Sequence, residues 1–564
     1  MNNIEYLLKY ITTTTVETEE VVDTISIPLF KPTTHQLEKL QQLALWFESD
    51  NLFIVLNGAA GTGKTSIINF FIDNLTNYNQ ILEINKTISS SSICVAAPTH
   101  KALGVIRNKI DRNVDFNTVA SLVGLRPDTS LELFDPTNVE FTTSATEVMA
   151  QYDIIIIDEA SMINSKVLDT IYKISNKNNI KILFVGDDIQ LPPVGEYLSG
   201  VFNNTTITLT EIIRQKDTNP IVYLLAILRN DIINAINSED TNLNYNFIAA
   251  LQQQLENVND KKEGYKCIKY EDILSYLNIF DEDTVNVKYI TYTNKDVYNN
   301  NRIIRNYLYP NSKSFIERNE LFMAYNTITD SELHTSLINS VDYKILDVEQ
   351  TSIFFNYVEF KVKSYNARYG DYKSNRLVYC KPEQFKVENG VEFNGYKVLI
   401  QNTITEATQT IFVPDKSEYN KIAQEHFAYF NDNNKGFKHF QLKKIYGTYI
   451  QFRSKFTLIT PIYICNGQYI HYDTTGAVEI IKKDLDRGYA ITAHKSQGST
   501  YSSSIVNIKE ILAALKTAIN PDIYYARNNK PISKELIKNE IIFHLKLIYV
   551  ALSRVTKISY IIIK

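Results

Sequence analysis

The chain has 564 residues and a formal net charge of −5 at pH 7, and 44% of its residues are hydrophobic. This length exceeds that of one hydrophobic core, which stops growing at about 250 to 300 residues, so the sequence predicts several domains. The composition excludes a largely disordered chain, and no apolar run reaches the roughly 20 residues that span a bilayer.

Residues 1–30 are a Thr- and Glu-rich extension without helical periodicity. Because the first residues lack the basic start and the cleavage site of a signal peptide, the sequence predicts a soluble, cytoplasmic protein. The four cysteines, Cys94, Cys267, Cys380 and Cys465, form no C-x-x-C pair. They are interpreted as buried free thiols and not as zinc ligands or disulfides.

A phosphate-binding loop follows the first predicted strand. From Pro32 to Asp50 apolar residues recur at helical spacing, with Thr33 or Thr34 placed to cap the helix. The apolar strand FIVLNG then leads into GAAGTGKT and a second helix, which is the G-x4-G-K-[ST] pattern in its strand-loop-helix setting. The backbone N–H groups of such a loop face phosphates, the lysine reaches the β- and γ-phosphates, and the threonine can hold Mg²⁺. The predicted nucleotide-binding residues are Gly58, Ala59, Ala60, Gly61, Thr62, Gly63, Lys64 and Thr65.

An acidic pair ends the next apolar strand. The segment YDIIIIDEAS predicts a buried strand that stops at Asp158 and Glu159. Ligands bind at the carboxyl ends of parallel strands, so Asp158 can hold Mg²⁺ while Glu159 activates the attacking water. Such pairs also occur as solvated strand ends, and the phosphate loop is what favours the functional interpretation. A third apolar strand, KILFVG, leads into GDDIQLPPVG, residues 186–195.

The order GAAGTGKT, DEAS and GDDIQLPPV resembles motifs I, II and III of superfamily 1B helicases, particularly the RecD-like and Dda-like branch. Dda-like proteins are typical of phages. The resemblance extends from residue 32 to the end of the chain. Thr291–Arg305 is similar to the strand and helix that follow motif IV in that family. The remaining motifs are matched by Pro32–Gln36 (Q), Ala97–Ala102 (Ia), Thr118–Leu125 (Ib), Leu209–Gln215 (IV), Tyr489–Thr500 (V) and Tyr549–Arg554 (VI).

The resemblance implies one ATP site between two motor domains, with Mg²⁺ as cofactor. Gln36 would read the adenine edge, and Gln190 would sense the γ-phosphate. Arg214 and Arg554 would be arginine fingers that reach across from the second domain. As isolated residues, Gln36 would be an ordinary helix glutamine and both arginines would be surface ion pairs. The predicted catalytic residues are Lys64, Asp158, Glu159, Gln190, Arg214 and Arg554.

Two polar segments are predicted to bind the phosphates of single-stranded DNA through hydroxyl, imidazole and ammonium groups. One contains T-H-K and the other T-x-H-K, which suits two domains that grip the strand in alternation. The alternative is that both are ordinary polar loops at strand ends. The candidates are Pro98, Thr99, His100, Lys101, Thr118, Ser121, Thr492, His494, Lys495 and Ser496.

Two segments interrupt the motor. SLELF and VEF flank a turn-forming tetrapeptide, residues 135–138, and predict a β-hairpin. In the resembled family a hairpin here is the pin that splits the duplex, and Phe134 is the candidate that stacks on the parting base pair. Phe141 is the alternative, and packing of the hairpin on its host domain is the other interpretation. Residues 313–483 alternate in polarity and predict a β-barrel, which is an SH3-like domain in that family.

The predicted fold class is therefore α/β, with two RecA-like P-loop domains, an inserted β-hairpin pin and an inserted SH3-like barrel. Asn507–Lys546 is longer than the family pattern. The predicted domains are the N-terminal extension (1–30), domain 1A (31–125 and 151–205), the pin or 1B (126–150), domain 2A (206–312 and 484–564) and domain 2B (313–483).

The resemblance implies an ATP-dependent DNA helicase that moves 5′-to-3′ on single-stranded DNA and unwinds duplexes. It implies a monomer whose partners are single-stranded DNA, single-strand/duplex junctions, and replication or recombination proteins. One alternative is a translocase on DNA or RNA that remodels nucleoprotein complexes. Another is a nucleotide-switched DNA clamp, against which Glu159, Arg214 and Arg554 speak because a clamp needs no hydrolytic residues.

Overall fold

The structure is a computed structural model that mixes helices with both parallel and antiparallel sheets. The predicted extension, Ala60, Arg214 and Phe134 lie outside the residues that it describes. Those residues are 32–59, 61–76, 82, 84, 87–110, 112–127, 141–143, 148–193, 195–197, 199–211, 220–237, 264–325, 328–329, 335–355, 358–361, 383–386, 391–418, 456–465, 468–470, 477–481 and 483–563.

A six-stranded parallel sheet carries the phosphate loop. Its four central strands are apolar on both faces, because both faces are covered: Ile54 and Leu56 of β1 (Phe53–Gly58) pack on one side and Val55 on the other. The elements of this part are α1 (Thr34–Glu48), β1 (Phe53–Gly58), α2 (Lys64–Thr76), β2 (Ile93–Ala97), α3 (His100–Arg107), β3 (Asp115–Thr118), α4 (Val119–Leu122), β4 (Leu125–Pro127), β5 (Phe141–Thr143), β6 (Ile154–Ile157), α5 (Ser165–Asn178), β7 (Lys181–Gly186) and β8 (Thr206–Leu209). The strand order is β3-β2-β6-β7-β1-β8.

The region of the predicted pin begins and ends in an antiparallel pair. Strand β4 pairs with β5, with Leu125 opposite Thr143 and Pro127 opposite Phe141. The chain therefore leaves and returns in opposite directions at this point, as a hairpin requires. The predicted turn and Phe134 lie outside the described residues, so the pin itself stays a prediction.

An antiparallel sheet is inserted where the sequence predicts a β-barrel. Its five strands, in order across the sheet, are β18 (Thr408–Pro414), β17 (Val391–Asn402), β14 (Asp342–Phe355), β11 (Leu321–Ala324) and β22 (Leu485–Arg487). It includes Leu485–Arg487, just beyond the predicted boundary, and the pairings of its described strands do not close it into a barrel. Between β8 and the inserted segment lie α6 (Pro220–Asn237), β9 (Gly264–Ile268), α7 (Ile279–Glu282), β10 (Val287–Thr291) and α8 (Asn294–Leu308). The strands that follow are β11 (Leu321–Ala324), β12 (Ile328–Thr329), β13 (Thr335–Leu337), β14 (Asp342–Phe355), β15 (Val358–Lys361), β16 (Glu383–Lys386), β17 (Val391–Asn402), β18 (Thr408–Pro414), β19 (Ile462–Cys465), β20 (Gln468–Ile470), β21 (Val478–Ile481) and β22 (Leu485–Arg487).

A second parallel sheet forms around β9 and β10, in the order β23 (Ala490–Thr492), β10, β24 (Tyr501–Asn507), β25 (Val555–Ile562) and β9. Two separate parallel sheets with flanking helices fit two RecA-like domains. The unusually long stretch after Asn507 is helical. The closing elements are β23 (Ala490–Thr492), α9 (Ala493–Ser496), β24 (Tyr501–Asn507), α10 (Ile508–Ala518), α11 (Pro521–Asn528), α12 (Lys534–Leu552) and β25 (Val555–Ile562).

The loop after β7 packs into the core of the second half. Ile189 and Leu191 belong to the same apolar cluster as Leu224 of α6, Leu512 of α10 and Ile548 of α12. The segment that carries Gln190 is therefore held by helices of the second parallel sheet, although its own strand belongs to the first.

Three of the four predicted free thiols lie in the described part of the chain. Cys94, Cys267 and Cys465 form no disulfide there, and Cys94 is buried while the other two are only partly buried. Cys380 lies outside the described residues. In the same part of the chain, no helix combines the length and the apolarity that crossing a membrane requires.

Candidate nucleotide and nucleic-acid sites

The phosphate loop is a tight turn between β1 and α2. Gly61 and Gly63 have positive φ angles of 88° and 83°, which favour glycine. A Cβ added at Gly58 would lie 2.7 Å from Thr62 Oγ1, so the loop has no room for a side chain there. Lys64 Nζ donates to the carbonyl oxygens of Gly58 at 2.6 Å and Ala59 at 3.0 Å. The ammonium group is thereby held over the loop, and Thr65 follows it in the first turn of α2.

Gln36 is tied to this loop from α1. Thr33 and Gln36 form a capping box at the start of α1, in which Thr33 N donates to Gln36 Oε1 at 3.1 Å. Gln36 Nε2 donates to the Thr62 carbonyl oxygen at 3.3 Å, and Gln36 is only 1% exposed. Both the oxygen and the nitrogen of the Gln36 amide therefore have partners within the protein. To bind an adenine edge, the amide must give up these hydrogen bonds.

The acidic pair lies at the carboxyl end of β6, as the sequence predicts. Burial and the adjacent Glu159 carboxylate raise the pKa of Asp158 to about 6, while Lys64 opposes the shift. Glu159 has a left-handed backbone with a φ of 52°. A non-glycine residue in that region stores strain of about 1–3 kcal/mol, which is commonest at functional sites.

Gln190 and Arg554 meet although Gln190 follows β7 of the first parallel sheet and Arg554 directly precedes β25 of the second. Arg554 Nη2 donates to Gln190 Oε1 at 3.0 Å, and Arg554 Nε donates to the Val550 carbonyl oxygen at 3.3 Å. Both residues are buried, at 5% and 7% exposure. This contact joins the segments similar to motifs III and VI. The other predicted finger, Arg214, lies outside the described residues.

The segment after β23 makes two further contacts with the first half. Gln497 Nε2 donates to the Leu191 carbonyl oxygen at 3.2 Å. A Cβ at Gly498, whose φ is +70°, would lie 3.2 Å from Ala102 Cβ and 3.8 Å from Glu159 Cγ. The segment similar to motif V therefore lies against the segments similar to motifs Ia and III, within reach of the acidic pair.

A cavity of about 230 Å³ lies where these segments meet. It brings together four of the predicted strand-binding residues, two from each T-H-K-type segment. The lining residues are Thr99, Lys101, Met162, Pro192, Pro193, Ser340, His494, Lys495 and Gln497. The two T-H-K-type segments thus line one cavity, to which the turn before β14 adds Ser340.

The lysines at this cavity differ in their partners. Lys101 Nζ lies 3.7 Å from Asp342 Oδ2 and donates to Tyr501 Oη at 3.4 Å. Burial lowers the pKa of Lys101, but Tyr501 and Asp342 outweigh it, so its pKa lies above the usual value. Lys495 forms no ion pair within the described ranges, and its ammonium lies over the Tyr325 ring, 3.4 Å from the centroid. An anion that enters the cavity meets Lys495 without displacing a carboxylate.

Several of the predicted strand-binding residues, including Thr99 at the cavity, make hydrogen bonds that cap or stabilise helices. Thr99, Thr118 and Thr492 are the N-caps of α3, α4 and α9, and their hydroxyl oxygens accept bonds from backbone N–H groups. Ser496 Oγ donates to the Ala493 carbonyl oxygen and is buried. The three that remain, Pro98, His100 and Ser121, are partly buried or exposed and do not line the cavity.

Four residues at these sites escaped the sequence analysis. Gln497 stands inside the HKSQGS segment, and its place next to Ser496 was the available signal. Asp342 opens β14 and Arg229 lies in the middle of α6, and neither stands in a segment similar to a motif. Asn57 is the residue before the phosphate loop and looked like part of an apolar strand. Partners that are distant in sequence gave no local signal.

Comparison with known proteins agrees with the motifs. Residues 33–244 match the family described as AAA domain. The chain is 26% identical over 532 residues to the uncharacterized protein R530 of Acanthamoeba polyphaga mimivirus, covering 87% of this chain and 96% of that protein. It is 25% identical over 313 residues to the ATP-dependent DNA helicase dda of Enterobacteria phage T4, covering 53% of this chain and 64% of that one. The fold is also similar to the crystal structure of Pif1 helicase from Candida albicans, with a TM-score of 0.41 and 16% identity. The superposition covers 95% of this chain and 94% of that one.

The phosphate loop and the acidic pair follow β1 and β6, and Arg554 contacts Gln190 in the loop after β7. The AAA-domain match covers the phosphate loop, the acidic pair and Gln190, and the phage T4 relative is itself a helicase. Together the motifs, the AAA-domain match and the helicase relatives support a superfamily 1B helicase of the RecD and Dda type.

Proposed function

We propose that this chain hydrolyses ATP to move 5′-to-3′ along single-stranded DNA and to unwind duplexes. The observation that carries the proposal is the buried 3.0 Å hydrogen bond from Arg554 to Gln190. It joins the loop after β7 of the first parallel sheet to the residue that precedes β25 of the second. A finger that reaches the nucleotide from another domain makes hydrolysis depend on how the domains are arranged. Chemistry and movement are thereby coupled.

The residues around the phosphate loop suit a nucleotide with Mg²⁺. The loop backbone curls so tightly that a Cβ at Gly58 has no room, and this favours N–H groups directed at phosphate oxygens. Thr65 and Asp158 would hold Mg²⁺, which would neutralise charge on the phosphates. Lys64 would exchange two loop carbonyl oxygens for phosphate oxygens, and Glu159 would orient and deprotonate the attacking water. Arg554, together with Arg214, would offset charge at the γ-phosphoryl group.

The strand is proposed to cross the cavity between the two T-H-K-type segments. Thr99, His494 and Lys495 would bind its phosphates, and Lys101 would do so by leaving Asp342. The pin, residues 126–150, would part the duplex, and the inserted domain 2B would form the outer wall through Ser340. The 5′-to-3′ direction follows from the helicase family and from no single residue.

Affinity for single-stranded DNA is expected to fall as the pH rises above about 7. Burial, with Lys483 and Lys101 nearby, lowers the pKa of Lys495 to about 7, against the opposing effect of Asp486 and Asp342. A phosphate stabilises the ammonium form, so binding above this pH must take up a proton. The Kd should be flat below the pKa and rise by at most about tenfold per pH unit above it. Fluorescence anisotropy with labelled oligothymidine measures this.

Lys495→Met is the matched variant for this pH dependence. It cannot titrate, so its Kd should be higher and should not change across the same pH range. If the Kd rises equally with pH in the wild type and in Lys495→Met, Lys495 does not bind the strand.

Phe134→Ala is expected to separate unwinding from hydrolysis. The change leaves the phosphate loop and both T-H-K-type segments intact, so ATP hydrolysis stimulated by single-stranded DNA should persist. Duplex unwinding should slow, since an aromatic stacked on a base contributes about 1–3 kcal/mol. Both rates are measured on one preparation with Phe141→Ala alongside. Equal losses of both activities would mean that the hairpin only supports the fold.

The decisive experiment is an unwinding assay with 5′-tailed, 3′-tailed and blunt duplexes, run with and without ATP. Unwinding of the 5′-tailed duplex alone is the expected result. Stimulated ATP hydrolysis without unwinding of any duplex would favour the translocase. DNA binding that responds to nucleotide without turnover would favour the switched clamp.

A further inference from the structure

Arg229 joins the two halves of the motor from a position outside every motif-like segment. It lies on α6, and its Nη1 is 2.7 Å from Asp187 Oδ1 and donates to Tyr549 Oη at 3.4 Å. Its Nη2 is 3.5 Å from Asp188 Oδ1. A single guanidinium therefore contacts both the turn after β7 and helix α12.

The turn after β7 depends on Asp187, which is fully buried. Asp187 Oδ1 accepts a hydrogen bond from Ile189 N at 3.2 Å, and its carbonyl oxygen accepts one from Gln190 N at 3.0 Å. Among the described residues, Asp187 Oδ2 has no hydrogen-bond partner. The Arg229 ion pair is thus the main compensation for a buried charge on which the position of Gln190 depends.

The same turn is attached to the phosphate loop. Asp188 N donates to Asn57 Oδ1 at 3.1 Å, and Asn57 directly precedes Gly58 in β1. On the opposite side, Lys546 Nζ of α12 donates to the Asp188 carbonyl oxygen at 2.8 Å. Two hydrogen bonds, both to Asp188, therefore connect β1, the strand before the phosphate loop, to α12.

We propose that Arg229 is a positioning residue for ATP hydrolysis. It holds the turn 187–190 against α12 so that Gln190 and Arg554, which follows that helix, stay paired. A displacement of α6 or α12 relative to β1 then changes the Gln190–Arg554 contact, and with it the position of the finger. The inference rests on the proposed function, since it concerns the turnover that Gln190 and Arg554 support.

The first test compares Arg229→Met and Arg229→Lys with Asn230→Ala. Asn230 is the neighbour on the same helix and belongs to none of these contacts, so its removal should change nothing. Arg229→Met is expected to lower kcat for ATP hydrolysis at saturating oligothymidine by about tenfold, with an unchanged Kd for ADP. The kcat of Arg229→Lys should lie between those of the wild type and Arg229→Met. An ammonium group keeps the charge but cannot contact Asp187, Asp188 and Tyr549 together.

A double-mutant cycle with Gln190→Ala separates positioning from a merely structural role. If Arg229 acts through Gln190, then Arg229→Met has no further effect on kcat once Gln190 is replaced by alanine. Independent losses that multiply would overturn the proposal, as would a normal kcat in Arg229→Met.

Breaking a buried ion pair can unfold a protein, so a second variant replaces the pair by neutral side chains. Asp187→Asn with Arg229→Met removes both charges and is expected to keep a Tm near that of the wild type. Its kcat should still be low, because the amide that replaces the Asp187 carboxylate can orient the turn, but the connection to α12 through Arg229 and Tyr549 is lost and only the Lys546 contact remains. Normal kcat in this folded double variant would overturn the inference. Absence of DNA-stimulated hydrolysis in the wild type would instead overturn the proposed function.

Discussion

Glu159→Gln is expected to lower ATP turnover by about 10²- to 10⁴-fold, the usual contribution of a general base, while ATP affinity is retained. The amide preserves the shape of the side chain and leaves Asp158 able to hold Mg²⁺. Lys64→Ala should also abolish turnover, but through binding, because it removes the cation that bridges the β- and γ-phosphates. Steady-state ATP hydrolysis and titration with a fluorescent nucleotide measure the two effects.

The two variants are expected to differ in nucleotide affinity, and that difference is the informative result. Glu38→Gln and Lys166→Ala, at exposed positions in α1 and α5, are the matched controls and should behave as the wild type. Near-normal hydrolysis by Glu159→Gln or Lys64→Ala would remove the assignment of the catalytic site. Equal loss of nucleotide binding in both would instead indicate that the loop has lost its shape.

Arg554→Ala is expected to bind nucleotide but to hydrolyse it about 10³-fold more slowly, which is the contribution of an arginine finger. The residual activity should no longer respond to single-stranded DNA. The variant also leaves Gln190 Oε1 without the donor that it has in the structure, so the two halves of the motor lose a contact. Single-turnover hydrolysis with and without oligothymidine measures both consequences.

Arg554 is buried, and its truncation leaves a cavity, so the stability of the folded state must be measured separately. Arg554→Lys keeps a cation and most of the volume, and should keep the Tm while losing the two-pronged contact. Arg527→Ala, an exposed arginine on α11, is the control for charge. DNA-stimulated hydrolysis at the full rate in Arg554→Lys and Arg554→Ala would mean that Arg554 is structural.

The local chemistry of the nucleotide site could be predicted from the sequence. An uninterrupted apolar run before GAAGTGKT predicts a buried strand, and β1 is that strand. The runs before Asp158 and Gly186 correspond to β6 and β7. The sequence offered Thr33 or Thr34 as the cap of the first helix, and Thr33 is the N-cap of α1. These features depend on hydrogen bonds and burial within a few residues, so their signal is local in the chain.

Only the tertiary structure decided which of the polar residues face one another. Lys101 looked like a free phosphate ligand, but it lies against Asp342, whose strand belongs to a different sheet. Arg229 carried no signal because its partners Asp187 and Tyr549 come from segments far away in the sequence. Periodicity reports which face of a helix or strand is buried, and it does not report what covers that face. Ion pairs between domains are decided by how separately folded sheets pack together. In this chain the sequence by itself therefore determined the nucleotide loop and its strands, while the packing of two sheets determined how that loop is joined to Arg554 and to the strand cavity.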